Sequence, residues 1–214
     1  YQTEIKLARA AKQGVNALVL GNSRAEIGFD PKHAGFKHKG LRAYNLASPG
    51  SVVQQHIASL DRLREGGVKP KSVLIGLDFM DFAGSALRNT PQPMPLSAEL
   101  RWRFDTLFSL SSVLDAGKTL GIQNAAYPAI VLPNGLNPHL NFNAIARKEG
   151  YFVMFRQRAE ENTMLYLRWK QHVSPEGVRR SHEFNALRNL LRMSVERGID
   201  MDFVIYPYHA QFFA

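Results

Sequence analysis

Short apolar runs alternate with amphipathic segments in the first half of the chain. The runs at 15–21, 41–50 and 71–79 carry branched or aromatic residues and are bounded by glycine, proline or charged residues, which is typical of buried strands. The second of these ends in a Ser-Pro-Gly turn. Residues 3–13 and 51–67 place apolar side chains at helical spacing, and Ser51 is a candidate N-cap for the second of these helices. The order of strand, short strand, helix and strand predicts a mainly parallel sheet.

The second half of the chain predicts a long insertion before one more strand. The proline-rich residues 83–98 predict a loop, and residues 199–209 predict a buried strand. Insertions of this kind commonly lie over the functional site. Between those two segments the pattern predicts one or two helices at 98–121, an irregular excursion at 122–150, an irregular or strand-like start and then helix at 150–172, and a segment ending in a clear helix at 174–198.

The predicted fold class is therefore α/β: three-layer, with a mainly parallel, flavodoxin-like sheet. A largely helical insertion, at about residues 83–175, separates the third strand from the last visible one. A length of 214 residues fits one domain, 1–214. The chain begins at Tyr1 rather than Met and stops soon after a predicted strand, so we expect a missing N-terminal signal or anchor and a missing C-terminal segment.

Composition narrows the classes of function. The formal net charge is +9, but the cations are spread along the chain without a run of five, so no nucleic-acid partner is expected. The charge fits a solvated surface or attraction to an anionic envelope or acidic glycan. The absence of cysteine excludes disulfides and thiolate chemistry. No histidines show metal-ligand spacing with a carboxylate, so neither a metal nor a cofactor is predicted.

Chemistry-bearing residues follow the predicted strands. Ligands of open parallel sheets bind beyond the carboxyl ends of the strands, so Ser23, Arg24, Gly50, Asp78 and His209 should share one edge. A hydroxyl, an imidazole and backbone amides are the groups that acyl transfer requires. Ser23 would be the nucleophile and a histidine, His209 among the visible ones, the base. The amides of Ser23 and Gly50 could bind the oxyanion.

Each of these residues also has a purely structural interpretation. Ser23 could be a turn serine, and Arg24 could pair with Asp78 or Asp81. Asp78 could cap a turn or helix through its own carboxylate. His209 could be a turn residue without a catalytic role. By position, His56 on an apolar helix face is expected in the core or at its boundary.

Three sequence blocks carry a resemblance to a known superfamily. "LGNSRAEIGFDP", "YNLASPGS" and "VLIGLDFMDF" resemble, in order and spacing, the first three blocks of the SGNH (GDSL-type) hydrolases. The closer similarity is to an envelope-associated bacterial branch that includes alginate O-acetylation proteins. The resemblance implies that Ser23 is the nucleophile and that Gly50 donates an oxyanion amide. Asn45, in the second block, joins Arg24 and Asp78 in the predicted oxyanion and substrate-binding group.

Two departures from the superfamily pattern bear on catalysis. Asp78 stands where the superfamily has an asparagine, and an ionised aspartate accepts hydrogen bonds but cannot donate them. His209 has Tyr206, not aspartate, three residues before it. Either His209 only lines the site and an Asp-x-x-His pair lies beyond Ala214, or the catalytic pair is degenerate.

The resemblance implies a serine esterase or O-acyltransferase of the bacterial envelope. The expected substrate is a small ester or an envelope glycan. The expected location is periplasmic or extracytoplasmic, at a membrane reached through a missing N-terminal segment, beside envelope polysaccharide machinery. The alternative is a catalytically degenerate SGNH-fold module that binds or assembles exported polysaccharide. A third hypothesis is a flavodoxin-like regulatory or nucleotide-binding domain. The absence of phosphate-binding glycine motifs argues against it.

Overall fold

The structure, a computed structural model, describes residues 2–87, 130–162 and 174–207. Helices and strands alternate along the first of these ranges. The described strands are β1 (Ala17–Leu20), β2 (Ala43–Asn45), β3 (Ser72–Leu77) and β4 (Asp200–Ile205). The described helices are α1 (Gln2–Lys12), α2 (Ser23–Gly28), α3 (Ala34–His38), α4 (Val53–Glu65), α5 (Phe79–Leu87), α6 (Leu140–Glu149), α7 (Tyr151–Asn162), α8 (Pro175–Arg180) and α9 (His182–Arg197).

The strands form one parallel sheet in the order β2-β1-β3-β4. Leu18 of β1 pairs with Tyr44 on one side and with Val73 on the other, and Val73 pairs in turn with Met201 of β4. This confirms the predicted α/β class and parallel sheet. Because every strand runs the same way, the residues that follow all four strands emerge at one edge of the sheet.

The two faces of the sheet pack against different layers, as in a three-layer flavodoxin-like fold. Leu18 and Ile75 point to a large core. That core is completed by helix side chains such as Leu7 of α1, Leu60 of α4 and Leu190 of α9. Burial of each such leucine stabilises the fold by roughly 1.5–3 kcal/mol. The opposite face packs a smaller group, which comprises Val19, Ala25, Ala47, Tyr206, Phe29, Phe36 and Leu74.

The start of α4 differs from its sequence prediction. Val52, not Ser51, is the N-cap, and Gln55 Oε1 accepts a hydrogen bond from its amide at 3.2 Å. The Ser51 hydroxyl instead donates to the carbonyl of Ser48 at 2.7 Å. Glu183 of α9 accepts from the amide of Val53 at 2.9 Å, so a carboxylate from another helix satisfies this helix terminus.

Three segments of the predicted insertion differ in detail from their predictions. Residues 83–87, predicted as loop, continue α5. The excursion at 122–150 contains α6, which Gly150 ends, and the segment from 150 is helical from Tyr151 rather than strand-like. The aromatic and branched residues at 151–155 suggested a strand, but local helix hydrogen bonding prevails. The helix predicted at 98–121 lies outside the described residues.

The chain divides into two compact units. Unit 1 comprises Tyr1–Arg88, Val131–Pro138 and Arg158–Ala214, and it contains the sheet. Unit 2 comprises Asn89–Ile130 and His139–Gln157. The single-domain assignment stays a prediction. Among the described helices, none combines the length and apolar character needed to cross a membrane.

Candidate active site

Ser23 is the first residue of α2, immediately beyond the end of β1. Gly21 makes the turn possible, because its φ of 140° is rare for other residues and a Cβ there would lie 2.6 Å from the Cβ of Ala25. Asn22 caps the helix by accepting a hydrogen bond from the amide of Arg24 at 3.0 Å. Ser23 is half-buried, and its hydroxyl makes no hydrogen bond within the described ranges.

The loop after β2 lies beside this turn. The amide of Ser48 donates to the carbonyl of Gly21 at 3.1 Å, which holds the two loops together. Gly50 is exposed and has a φ of 70°. Within the described ranges, neither the amide of Gly50 nor that of Ser23 donates a hydrogen bond. Both predicted oxyanion donors are therefore available, although their role stays a prediction.

Asp78, directly after β3, is tied to the Ser23 turn. The Asn22 amide group donates to Asp78 Oδ2 at 2.9 Å, and Asp78 Oδ1 accepts from the amide of Met80 at 3.0 Å. Arg24 Nε lies 3.9 Å from Asp78 Oδ2. The predicted ion pair of Arg24 with Asp78 and the predicted capping by Asp78 are thus both present. Asp78 therefore orients Asn22 through a hydrogen bond and attracts the Arg24 guanidinium by its charge.

Tyr206, directly after β4, is a site residue that the sequence analysis missed. Its ring lies under the Arg24 guanidinium, with Cζ 5.5 Å from the ring centroid. Its hydroxyl is buried and lies against Gly76, where an added Cβ would be 1.8 Å away. The one available signal was a glycine inside a strand, which often marks close approach of another group. Burial, with help from the Asp78 charge, raises the pKa of Tyr206 well above its usual value.

Asn45 is fully buried at the end of β2. Its Nδ2 donates to the carbonyls of Ala25, Glu26 and Phe29 at 2.9, 3.2 and 2.9 Å, and its Oδ1 accepts from the amide of Ala47 at 3.0 Å. These bonds fix the end of α2, and therefore the helix that begins at Ser23. The predicted part of Asn45 in oxyanion or substrate binding stays a prediction, since every hydrogen bond described for it goes to backbone.

A buried ion pair supports the same loops from α1. Lys6 Nζ lies 2.8 Å from Glu26 Oε1, both side chains are 1% exposed, and Gln2 also donates to Glu26. Lys6 Nζ donates further to the carbonyl of Ala47, in the loop after β2, at 2.5 Å. Burial lowers the pKa of Lys6, and the Glu26 carboxylate opposes that effect. No sequence pattern pointed to this pair, because Lys6 is one charge among several on an amphipathic helix.

The segment 131–138 contributes to the site within unit 1. Its Asn134 carbonyl accepts from the amide of Asn45 at 2.8 Å, and the amide of Asn137 donates to the carbonyl of Glu26 at 3.2 Å. Gly135 has a φ of 85°, and a Cβ there would lie 2.0 Å from the carbonyl oxygen of Asn45. This part of the predicted insertion is therefore seated directly behind α2.

The described edge thus combines a half-buried hydroxyl, unpaired amides and an arginine held by a carboxylate. These groups can bind an anion or a polarised carbonyl. His209, the predicted base, lies outside the described residues. A cavity of about 450 Å³ lies elsewhere, against the amino-terminal halves of β3 and β4, and is lined in part by His33, Phe36 and Asp202. Within the described ranges no cluster of three His, Asp or Glu side chains could hold a metal ion.

Comparisons with known proteins identify a family for this chain. No curated protein and no solved structure matches the chain. A family profile matches residues 3–175, a range that includes β1, β2 and β3 with the Ser23 turn but not β4. Since this is well over half of the chain, the protein belongs to the DUF1574 family, described as a protein of unknown function.

Proposed function

We propose that this protein is an SGNH-like serine esterase or O-acyltransferase that acts on an ester of an envelope glycan. Ser23 attacks the carbonyl carbon, and a histidine, with His209 the visible candidate, takes the hydroxyl proton and returns it to the leaving group. The amides of Ser23 and Gly50 stabilise the oxyanion. Arg24 binds an anionic part of the substrate.

The observation that carries the proposal is the position of Ser23. It begins a helix directly beyond an inner strand of a parallel sheet, and the loops of two neighbouring strands are hydrogen-bonded to its turn through Ser48–Gly21 and Asn22–Asp78. Such a turn exposes a hydroxyl where amides from two loops converge. The basic chain, with a net charge of +9, favours an acidic glycan as the substrate class.

Turnover of p-nitrophenyl acetate tests the activity. The protein should release p-nitrophenol with a burst, and Ser23→Ala should abolish the release. Ser59→Ala is a matched control, because Ser59 is on α4 with its hydroxyl bonded to the carbonyl of Gln55. Loss of turnover in both variants, or in neither, would contradict the role of Ser23.

A second candidate function, glycan binding without catalysis, is favoured by Asp78. An asparagine could donate a hydrogen bond to an oxyanion, whereas this carboxylate is already used to hold Asn22 and Arg24. Binding of an acidic oligosaccharide that Arg24→Gln weakens, without any ester hydrolysis, would select this function over the first.

A further inference from the structure

The first five residues of α7 carry an exposed aromatic cluster. Tyr151, Phe152 and Phe155 are 65%, 76% and 66% exposed, and the rings of Tyr151 and Phe155 stack at 6.4 Å. At 100° per residue these three positions fall within one 100° sector of the helix. We call this set the aromatic face. Three large aromatic side chains in five residues are too concentrated to be ordinary surface exposure, and such patches mark interaction sites.

Cations flank the aromatic face along the sequence. Arg147 and Lys148, both exposed, end α6 just before it, and Arg156 follows on α7. Glu149 is the acidic residue in the stretch 147–156, so three positive charges and one negative charge give a formal net charge of +2 there. Among the other exposed apolar side chains, Phe79 of α5 is 45% exposed, and the rest, such as Val195 of α9 at 83%, are aliphatic.

We propose that the aromatic face docks on an anionic lipid surface. Aromatic side chains partition into the boundary between headgroups and acyl chains, and arginine and lysine beside them are attracted to anionic headgroups. The phenol of Tyr151 suits the polar side of that boundary, and the rings of Phe152 and Phe155 suit its apolar side. Charge complementarity thus selects a lipid surface. This inference does not depend on the proposed serine chemistry.

A site-specific fluorescent probe tests the docking. The chain contains no cysteine, so Phe152→Cys in the full chain accepts a single environment-sensitive dye. Val195→Cys is the matched control, because Val195 is also highly exposed on a helix but lies outside the aromatic face. Each labelled protein is mixed with phosphatidylcholine vesicles and with vesicles that also contain phosphatidylglycerol.

The expected result is a blue shift and intensity gain at position 152 with phosphatidylglycerol vesicles, reduced by high salt, with little change at 195. Equal responses at both positions, or none at 152, would overturn the proposal. A response at 152 that rises with protein concentration without vesicles would also overturn it, because the face would then join copies of this chain.

Sedimentation with the same vesicles separates the two parts of the surface. The double variant Tyr151→Ser/Phe155→Ser should have a vesicle partition coefficient that is lower by more than about tenfold. Arg147→Gln/Lys148→Gln should weaken binding to anionic vesicles by a similar factor, whereas Arg179→Gln/Arg180→Gln, on exposed positions of α8, should have a smaller effect. If the 147/148 and 179/180 double variants weaken binding equally, the vesicles attract the basic chain as a whole. That result would contradict a specific docking face.

Discussion

Asp78 accepts hydrogen bonds from Asn22 and from the amide of Met80, and its Oδ2 lies 3.9 Å from Arg24. At the scale of single residues, this aspartate therefore has a definite structural consequence. The carboxylate anchors the cap of the Ser23 helix and attracts the arginine that lies over the Tyr206 ring.

The buried hydroxyl of Tyr206 leads to a stability prediction. Within the described ranges the hydroxyl has no hydrogen-bond partner. The nearby backbone of Ala25 partly offsets the rise in the pKa of Tyr206, but it does not meet the geometry of a hydrogen bond. Tyr206→Phe should therefore leave the free energy of unfolding unchanged or raise it by about 1 kcal/mol, because no bond is lost and a desolvated hydroxyl is removed. Urea denaturation measures this, with Tyr151→Phe on the surface as the control. A loss above about 1 kcal/mol would reveal a partner for the hydroxyl.

His56 on α4 leads to a prediction on pH. Burial lowers its pKa from 6.5 to about 4, which confirms the expected core position. The folded state keeps the imidazole neutral while the unfolded state protonates it below 6.5, so stability is lost as the pH falls from 6.5 to about 4. The loss attributable to this residue approaches about 3 kcal/mol at the lower limit. The free energy of unfolding of His56→Gln should therefore fall less steeply over that range than that of the wild type.

At the scale of secondary-structure elements, α1 is joined to the site through Lys6. Lys6→Met would leave Glu26 buried without its cation, and the carbonyl of Ala47 would lose the hydrogen bond from Lys6. The free energy of unfolding should therefore fall by about 3–5 kcal/mol. Lys12→Met, at an exposed position of the same helix, should change the free energy of unfolding by less than about 0.5 kcal/mol. Similar small effects for both variants, measured by denaturation, would show that α1 is not anchored in this way.

The segment 131–138 offers a matched pair of glycines. Gly135 and Gly67 have φ values of 85° and 83°, so a substitution by alanine strains both backbones equally. Only at Gly135 would the new Cβ meet another group, the carbonyl of Asn45 at 2.0 Å, while nothing lies within 4 Å at Gly67. Gly135→Ala should therefore lose about 2 kcal/mol or more beyond Gly67→Ala and speed hydrogen exchange in 131–138. Equal losses would argue against the close seating of this segment.

The sequence predicted some elements well, for identifiable reasons. Residues 17–20 and 72–77 form short, continuous apolar runs between glycine, proline or charged residues, and no helix of ordinary length fits such a run. The helices α2 and α3 were missed because six and five residues are too short for a helical period to be visible. The carboxylate Glu183 that completes α4 comes from 130 positions along the chain, which no local pattern encodes.

At the scale of the whole molecule, parallel topology was the decisive inference. Once β1, β2, β3 and β4 run the same way, the residues that follow them must emerge at one edge. The contacts among Gly21, Ser48, Asn22, Asp78 and Arg24 show that the loops after β1, β2 and β3 meet there. Tyr206 and the Lys6–Glu26 pair were missed because they depend on which helix packs behind the edge. The part that His209 plays stays a prediction.

The central claim is that Ser23 is an activated nucleophile, and a fluorophosphonate probe tests it most directly. The probe should form one adduct, which peptide mass spectrometry places on Ser23. Ser23→Ala should abolish the adduct, and His209→Gln should slow its formation by about 100-fold or more. Absence of an adduct on Ser23, or labelling that persists in Ser23→Ala, would contradict the account.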